Sequence, residues 1–168
     1  MIGNDIIDLQ LAKVQSNWRR PNFLEKLFTV DEQCFIRKAE NSELEVWKLW
    51  SRKEAAYKIY NRETGIRGFF PWKINCEISK NTSEKLFDLV TIDGEKFYTK
   101  TIATENYMYS IAVKSIALFD AIVEVNQTEK IIKINDLPFI EKSLKPVSIT
   151  HHGRFQKKIT LIDSQLFF

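Results

Sequence analysis

The stretch SELEVWKLWSRKEAAYKIYN, residues 42 to 61, contains neither Gly nor Pro. An uninterrupted run of this length propagates one long helix, and the rest of the chain must be arranged around it. Ser42 with Glu45 has the spacing of a capping box at its start, and ETG at 63 to 65 supplies a stop. At 100° per residue, Val46, Leu49, Trp50, Tyr57 and Tyr60 fall on one face, with Lys53 near its middle and Glu54 and Lys58 at its margin.

Charges beside a face that should be buried need an explanation. Glu54 and Lys58 have the i,i+4 order of a surface ion pair, worth only about 0.2–0.5 kcal/mol. Lysine stems also cover apolar surface while their ammonium groups reach water. A charge inside the stripe nevertheless requires a partner or a wet cleft. A metal ion and phosphate groups would be such partners.

Around this helix the pattern divides in two. MIGNDIIDL opens as a strand in which Gly3 allows a close backbone approach, and QLAKVQSNWRRP is a short helix ending by Pro21. Thr29 and Glu32 form a second capping box. After Gly65 the chain reads as strands. PWKINCEI alternates, LFDLVTIDGEKFYTKTI is a hairpin turning at Asp93-Gly94, and NYMYSIAVKSIALF is a strand entering a short helix. KIIKIN, LPFI, PVSITHHGRF and KKITLI follow as strand segments. Early helices with a later antiparallel sheet make an α+β fold packed on one long central helix. The 168 residues suit a single domain, with a main lobe over 1–120 and a C-terminal strand extension over 121–168.

A net charge of +3 permits an anionic partner without implying nucleic acid. Cys34 and Cys76 are the only cysteines, far apart, so neither a disulfide framework nor a cysteine zinc site is expected. No basic-then-apolar leader and no membrane-length apolar run is present. The expectation is a cytoplasmic protein without a membrane partner.

In the first strand, Asp5 is a carboxylate in apolar surroundings: a ligand, or an edge residue bonded to nearby backbone. Asp8 could cap the following helix.

Together, Gly3/Asp5, Phe28/Thr29/Glu32 and Trp50/Lys53/Glu54/Lys58 resemble the G-x-D strand, the F-T-x-x-E helix start and the W-x-x-K-E-x-x-x-K helix of the 4′-phosphopantetheinyl transferase superfamily. Ser148, Thr150 and His151, followed by Gly153 and Arg154, resemble its S-x-S/T-H motif. That motif comes last, as in the holo-acyl-carrier-protein synthases, but after a longer insert.

The resemblance implies transfer of the 4′-phosphopantetheine arm of coenzyme A to a serine of an apo acyl carrier protein, in fatty-acid, polyketide or another pathway. Adenosine 3′,5′-bisphosphate would leave. It implies Mg²⁺ held by Asp5 and Glu54, with Asp8 a weaker third candidate; Ile7 stands where the two-lobed relatives have an acid, which leaves the third position to water or to Asp8. Lys58 would neutralise the pyrophosphate and could protonate the leaving group, and Lys53 would contact phosphate or pack its stem. Glu54 or water would take the serine proton. His151 and Arg154 would meet the coenzyme's other phosphates. A zinc site on His151-His152 is not expected, since neighbouring strand residues face opposite sides.

An acidic carrier helix could meet Lys13, Arg19, Arg20 and Lys26, and a homo-oligomer is slightly favoured by analogy with the short enzymes. The alternative on the same fold is a catalytically silent carrier-binding module.

Overall fold

The structure is a computed structural model, and residues 1–78 and 87–162 are described. Leu86, the first residue of the expected hairpin segment, and the last six residues of the extension lie outside them. The chain begins with β1 (Ile2–Asp8), α1 (Leu9–Gln15), α2 (Phe23–Leu27), α3 (Val30–Lys38) and α4 (Ser42–Thr64). A 3-10 turn (Pro71–Lys73) leads to β2 (Ile74–Cys76), β3 (Asp88–Ile92), β4 (Glu95–Ala103) and β5 (Tyr107–Val113). A second 3-10 turn (Ile116–Ala121) precedes β6 (Ile122–Glu124), β7 (Ile131–Ile134), β8 (Leu137–Ile140), β9 (Ser148–His152) and β10 (Phe155–Leu161). All pairings are antiparallel. The main sheet runs β1-β5-β4-β3-β2, the second β6-β10-β9, and β7 pairs with β8.

The local reasons are mostly the expected ones. Thr29 and Glu32 form a complete capping box at the start of α3. The β3–β4 hairpin turns at Asp93 and Gly94, both at positive φ, as a tight hairpin requires. Two boundaries differ. The N-cap of α4 is Asn41, whose side chain accepts from Leu44 N–H, and Ser42 is already helical. Pro71 starts the 3-10 turn, shortening the strand expected over 71–78 to Ile74–Cys76.

α4 crosses the main sheet. Ala55, Ala56 and Ile59 are fully buried, and a Cβ on Gly3 would lie 2.0 Å from the Ala55 carbonyl oxygen. Only glycine lets β1 and α4 approach so closely. Among the described residues no helix is long and apolar enough to cross a membrane.

β1 lies at one edge of the main sheet, which would leave alternate N–H groups unpaired. Side chains from β9 supply the missing acceptors. Asn4 N–H donates to Ser148 Oγ (3.0 Å), Ile6 N–H to Thr150 Oγ1 (3.1 Å) and Asp8 N–H to His152 Nδ1 (2.9 Å). The strand period of two puts these three residues on one side of β9. The extension is thereby fastened to the strand that carries Asp5.

Candidate active site

Asp5, from β1, and Glu54, from α4, line one cavity of about 440 Å³, together with His151 and His152 from β9. Burial raises the carboxyl pKa of Asp5, against the opposing influence of Lys58 and a hydrogen bond from Thr150. Glu54 is pushed up to about 7, first by burial and then by the negative charge of Asp5, while Lys58 pulls it down. The charge of Asp5 disfavours ionisation of Glu54, and two carboxylates lining one partly buried cavity could hold a cation. No cluster of three or more His, Cys, Asp or Glu side chains able to hold a metal occurs among the described residues. Two carboxylates with open positions suit Mg²⁺, which keeps waters and takes substrate phosphate oxygens. The donor set therefore fits the ion that the sequence implied.

Lys58 sits beside this pair. Its ammonium donates to Asn4 O (2.6 Å) and reaches Asp5 Oδ1 (3.5 Å) and Ile149 O (3.4 Å). It thus touches both strands of the seam and remains partly exposed.

Lys53 is elsewhere. Its side chain is completely buried, and Nζ donates to Glu32 Oε2 (2.6 Å), Pro71 O (2.8 Å) and Leu27 O (3.0 Å). With all three hydrogens bonded and no exposed surface, this ammonium is out of reach of a ligand in the cavity. Of the two roles expected for Lys53, these contacts match the packed one: Lys53 ties α4 to α3 and to the 3-10 turn. Glu32 completes the cage by accepting from Thr29 N–H and Cys76 N–H, each at 2.8 Å.

Asp8 and Arg154 are paired with each other. Asp8 caps α1 by accepting from Gln10 and Leu11 N–H, and it also receives Arg154 N–H, Nε and Nη2 at 3.1, 2.8 and 2.9 Å. These bonds, led by the Arg154 side chain, hold its pKa far below the usual carboxylate range. A carboxylate so occupied is not free to serve as a third metal ligand. The Nε and Nη2 groups of Arg154 are engaged with Asp8. Gly153 makes the arrangement possible: at φ +54° it turns β9 into β10, and a Cβ there would come within 2.5 Å of Asp8 Oδ2.

His151 is exposed and lines the cavity, within reach of a bound anion. Two positioning groups were not foreseen. Thr150 Oγ1 donates to Asp5 Oδ1 at 3.2 Å while accepting from Ile6 N–H, and His152 accepts from Asp8 N–H. The S-x-S/T-H resemblance marks Thr150 without giving it this role, and the signal for His152 is its period-two alternation with Ser148. Lys13, Arg19, Arg20 and Lys26 are exposed, and Arg20 also lines the cavity.

The family model described as the 4′-phosphopantetheinyl transferase superfamily matches residues 1–112. The chain belongs to that superfamily. Of the transferase-family motifs, the match contains Asp5, Glu32, Lys53, Glu54 and Lys58, and it ends inside β5, leaving β6 to β10 beyond it. A holo-acyl-carrier-protein synthase of Caldanaerobacter subterraneus subsp. tengcongensis is 38% identical over 68 residues, covering 40% of this chain and 51% of the relative. The chain thus spans about half the length of that curated relative. The apo-ACPS structure from Chronobacterium ammoiniagenes superposes with a TM-score of 0.52 at 12% identity, over 67% of this chain and 93% of that one. This likeness shows the α+β transferase fold.

Proposed function

We propose that the chain transfers the 4′-phosphopantetheine arm of coenzyme A to a serine of an apo acyl carrier protein, with Mg²⁺, releasing adenosine 3′,5′-bisphosphate. The observation that carries this reading is the meeting of Asp5 and Glu54, from distant parts of the chain, in one cavity beside Lys58. Asp5 and Glu54 would hold the Mg²⁺, and the ion would offset negative charge on the pyrophosphate. Thr150 holds Asp5 in place by its hydrogen bond. Lys58 balances the charge that grows on the departing phosphate and can donate a proton to it. Glu54, or a water held at the ion, would take the serine proton. His151, exposed at the cavity wall, offers a ring N–H to a phosphate oxygen.

The carrier's acidic surface would meet Lys13, Arg19, Arg20 and Lys26, with Arg20 nearest the acids because it lines their cavity. The main lobe and extension act as one unit in the cytoplasm. The seam with β1 is made within one chain, so a homo-oligomer, if formed, is not required to supply the β9 contacts.

The test is incubation of the protein with coenzyme A, Mg²⁺ and a panel of apo carriers, followed by mass spectrometry of the carrier. A gain of the phosphopantetheine mass is expected, with loss of the gain in Glu54→Gln. Carrier binding without any mass gain would instead identify a silent binding module.

A further inference from the structure

Where α4 crosses the sheet, the contact is made by small groups: Ala55 and Ala56 are fully buried, and the Ala55 carbonyl oxygen lies against Gly3. Apolar burial of this kind is non-directional, so the position of α4 along its own axis has to be set by hydrogen bonds. Two such bonds flank the acids. On one side the Lys58 ammonium donates to Asn4 O of β1 at 2.6 Å. On the other, Ser51 of α4 and Ser110 of β5, both fully buried, meet hydroxyl to hydroxyl at 2.7 Å. Ser110 is the cross-strand partner of Asp5, so the two side chains share a face of the sheet. Ser51 precedes Glu54 by three residues on α4, about 4.5 Å along the axis and on the same side. The hydroxyl bridge is thus the rung beside the one that the two carboxylates would make through a cation.

The hydrogens of the bridge can be placed. Ser51 Oγ donates to Lys48 O at 3.0 Å, which uses its one hydrogen, so Ser110 donates to Ser51. Ser110 then accepts from Thr101 Oγ1 (2.9 Å), and Thr101 accepts from Arg52 Nε (3.1 Å). Arg52 is itself buried and paired with Asp88. A single line of donors therefore runs from a guanidinium through three hydroxyls to a helix carbonyl, and bonds in such a line strengthen one another. None of the three hydroxyls lines the cavity of Asp5 and Glu54.

We propose that Ser51 and Ser110 are positioning residues for the cation site, their bridge fixing α4 against β5 and thereby the spacing of Glu54 from Asp5. The inference rests on the reading above in which these two acids hold Mg²⁺. Lys58 alone would leave α4 to pivot about one contact; a second contact on the far side of the acids removes that freedom.

Thermal melts of the full chain over a series of Mg²⁺ concentrations read cation binding without coenzyme or carrier. Ser110→Ala leaves Ser51 without its donor and Thr101 without its acceptor. It should raise the Mg²⁺ concentration at half of the melting shift about 10-fold, the lower end of the loss seen when groups that orient metal ligands are removed. Ser51→Ala should act alike from the helix side and serves if the first variant does not fold. Ser110→Thr, which retains a hydroxyl, should restore most of the affinity. Tyr60→Phe removes the bond from α4 to Asp93 nearer the helix C-terminus, and should lower the metal-free melting temperature while leaving the Mg²⁺ midpoint at its wild-type value. In turnover, half-saturating Mg²⁺ should rise in Ser110→Ala with KM for the carrier retained. An unchanged Mg²⁺ midpoint in both alanine variants, an equal rise in Tyr60→Phe, or a wild-type melt indifferent to Mg²⁺ would overturn the assignment. Weakened Mg²⁺ binding in the alanine variants of a protein that modifies no carrier would uphold the positioning role and reject the transferase reading; transfer whose Mg²⁺ dependence is unchanged in those variants would do the reverse.

Discussion

Thr150 Oγ1 stands 3.2 Å from Asp5 Oδ1 and at the same time accepts the N–H of Ile6 at 3.1 Å. One hydroxyl therefore closes the strand edge and orients the Asp5 carboxyl. Thr150→Val keeps the volume and removes both bonds. It should cost about 1–3 kcal/mol through the unpaired Ile6 N–H. Ser148→Ala removes the acceptor of Asn4 N–H and should cost a similar amount without touching Asp5. Urea denaturation should show comparable losses for the two. Single-turnover transfer assays should show that only Thr150→Val weakens the Mg²⁺ dependence.

Glu54 gives the site a pH dependence. Its folded pKa, about 7, lies above its ordinary 4.5, so its contribution to stability is fully present below 4.5 and is lost as pH rises through about 7. For the metal-free protein, the Glu54 contribution to the melting temperature should fall from pH 5 to pH 8. Mg²⁺ must displace the Glu54 proton at the lower pH, so its stabilising effect should grow over the same interval. Thermal melts with and without Mg²⁺ check both slopes, and Glu54→Gln should flatten both.

Asp8 behaves oppositely. Its pKa is held below the ordinary 3.8, chiefly by Arg154, so its stabilisation is present above about 3.8 and is lost as pH falls toward the depressed value. Asp8→Asn should lower stability at neutral pH and make the acid limb of the unfolding curve shallower. Arg154→Lys should produce a smaller change of the same sign. Acid titrations followed by circular dichroism compare the three proteins.

Lys53→Met should destabilise the fold by about 3–5 kcal/mol, because Glu32 would be left as a buried charge without its cation. At a temperature where the variant stays folded, its KM for coenzyme A should match that of the wild type. A large rise in KM at unchanged stability would show that Lys53 reaches the coenzyme.

The sequence revealed those features whose cause is local. The run without Gly or Pro marked α4, Thr29 and Glu32 marked a cap, and Asp93-Gly94 marked a hairpin. Gly3 announced a close approach before its partner, Ala55 O, was known. The motif spacing singled out the acids that meet in the cavity. What escaped the sequence depends on pairings between distant residues. Asp8 and Arg154 are 146 positions apart, and nothing local to either shows that each is consumed by the other. His152 looked like the spare neighbour of His151 until β9 was seen to face the open edge of β1.

The enclosed Lys53–Glu32 pair bears on how sequences of this kind should be compared. One of the four letters that make the helix motif recognisable, Lys53, belongs to an internal strut, and a descendant that had lost all chemistry would still be under pressure to keep it. Replacing either member alone leaves a stranded charge, so across relatives the two positions should be inherited jointly or exchanged jointly. Their presence testifies to shared architecture, whereas evidence of a living reaction has to be sought at Asp5, Glu54 and Lys58.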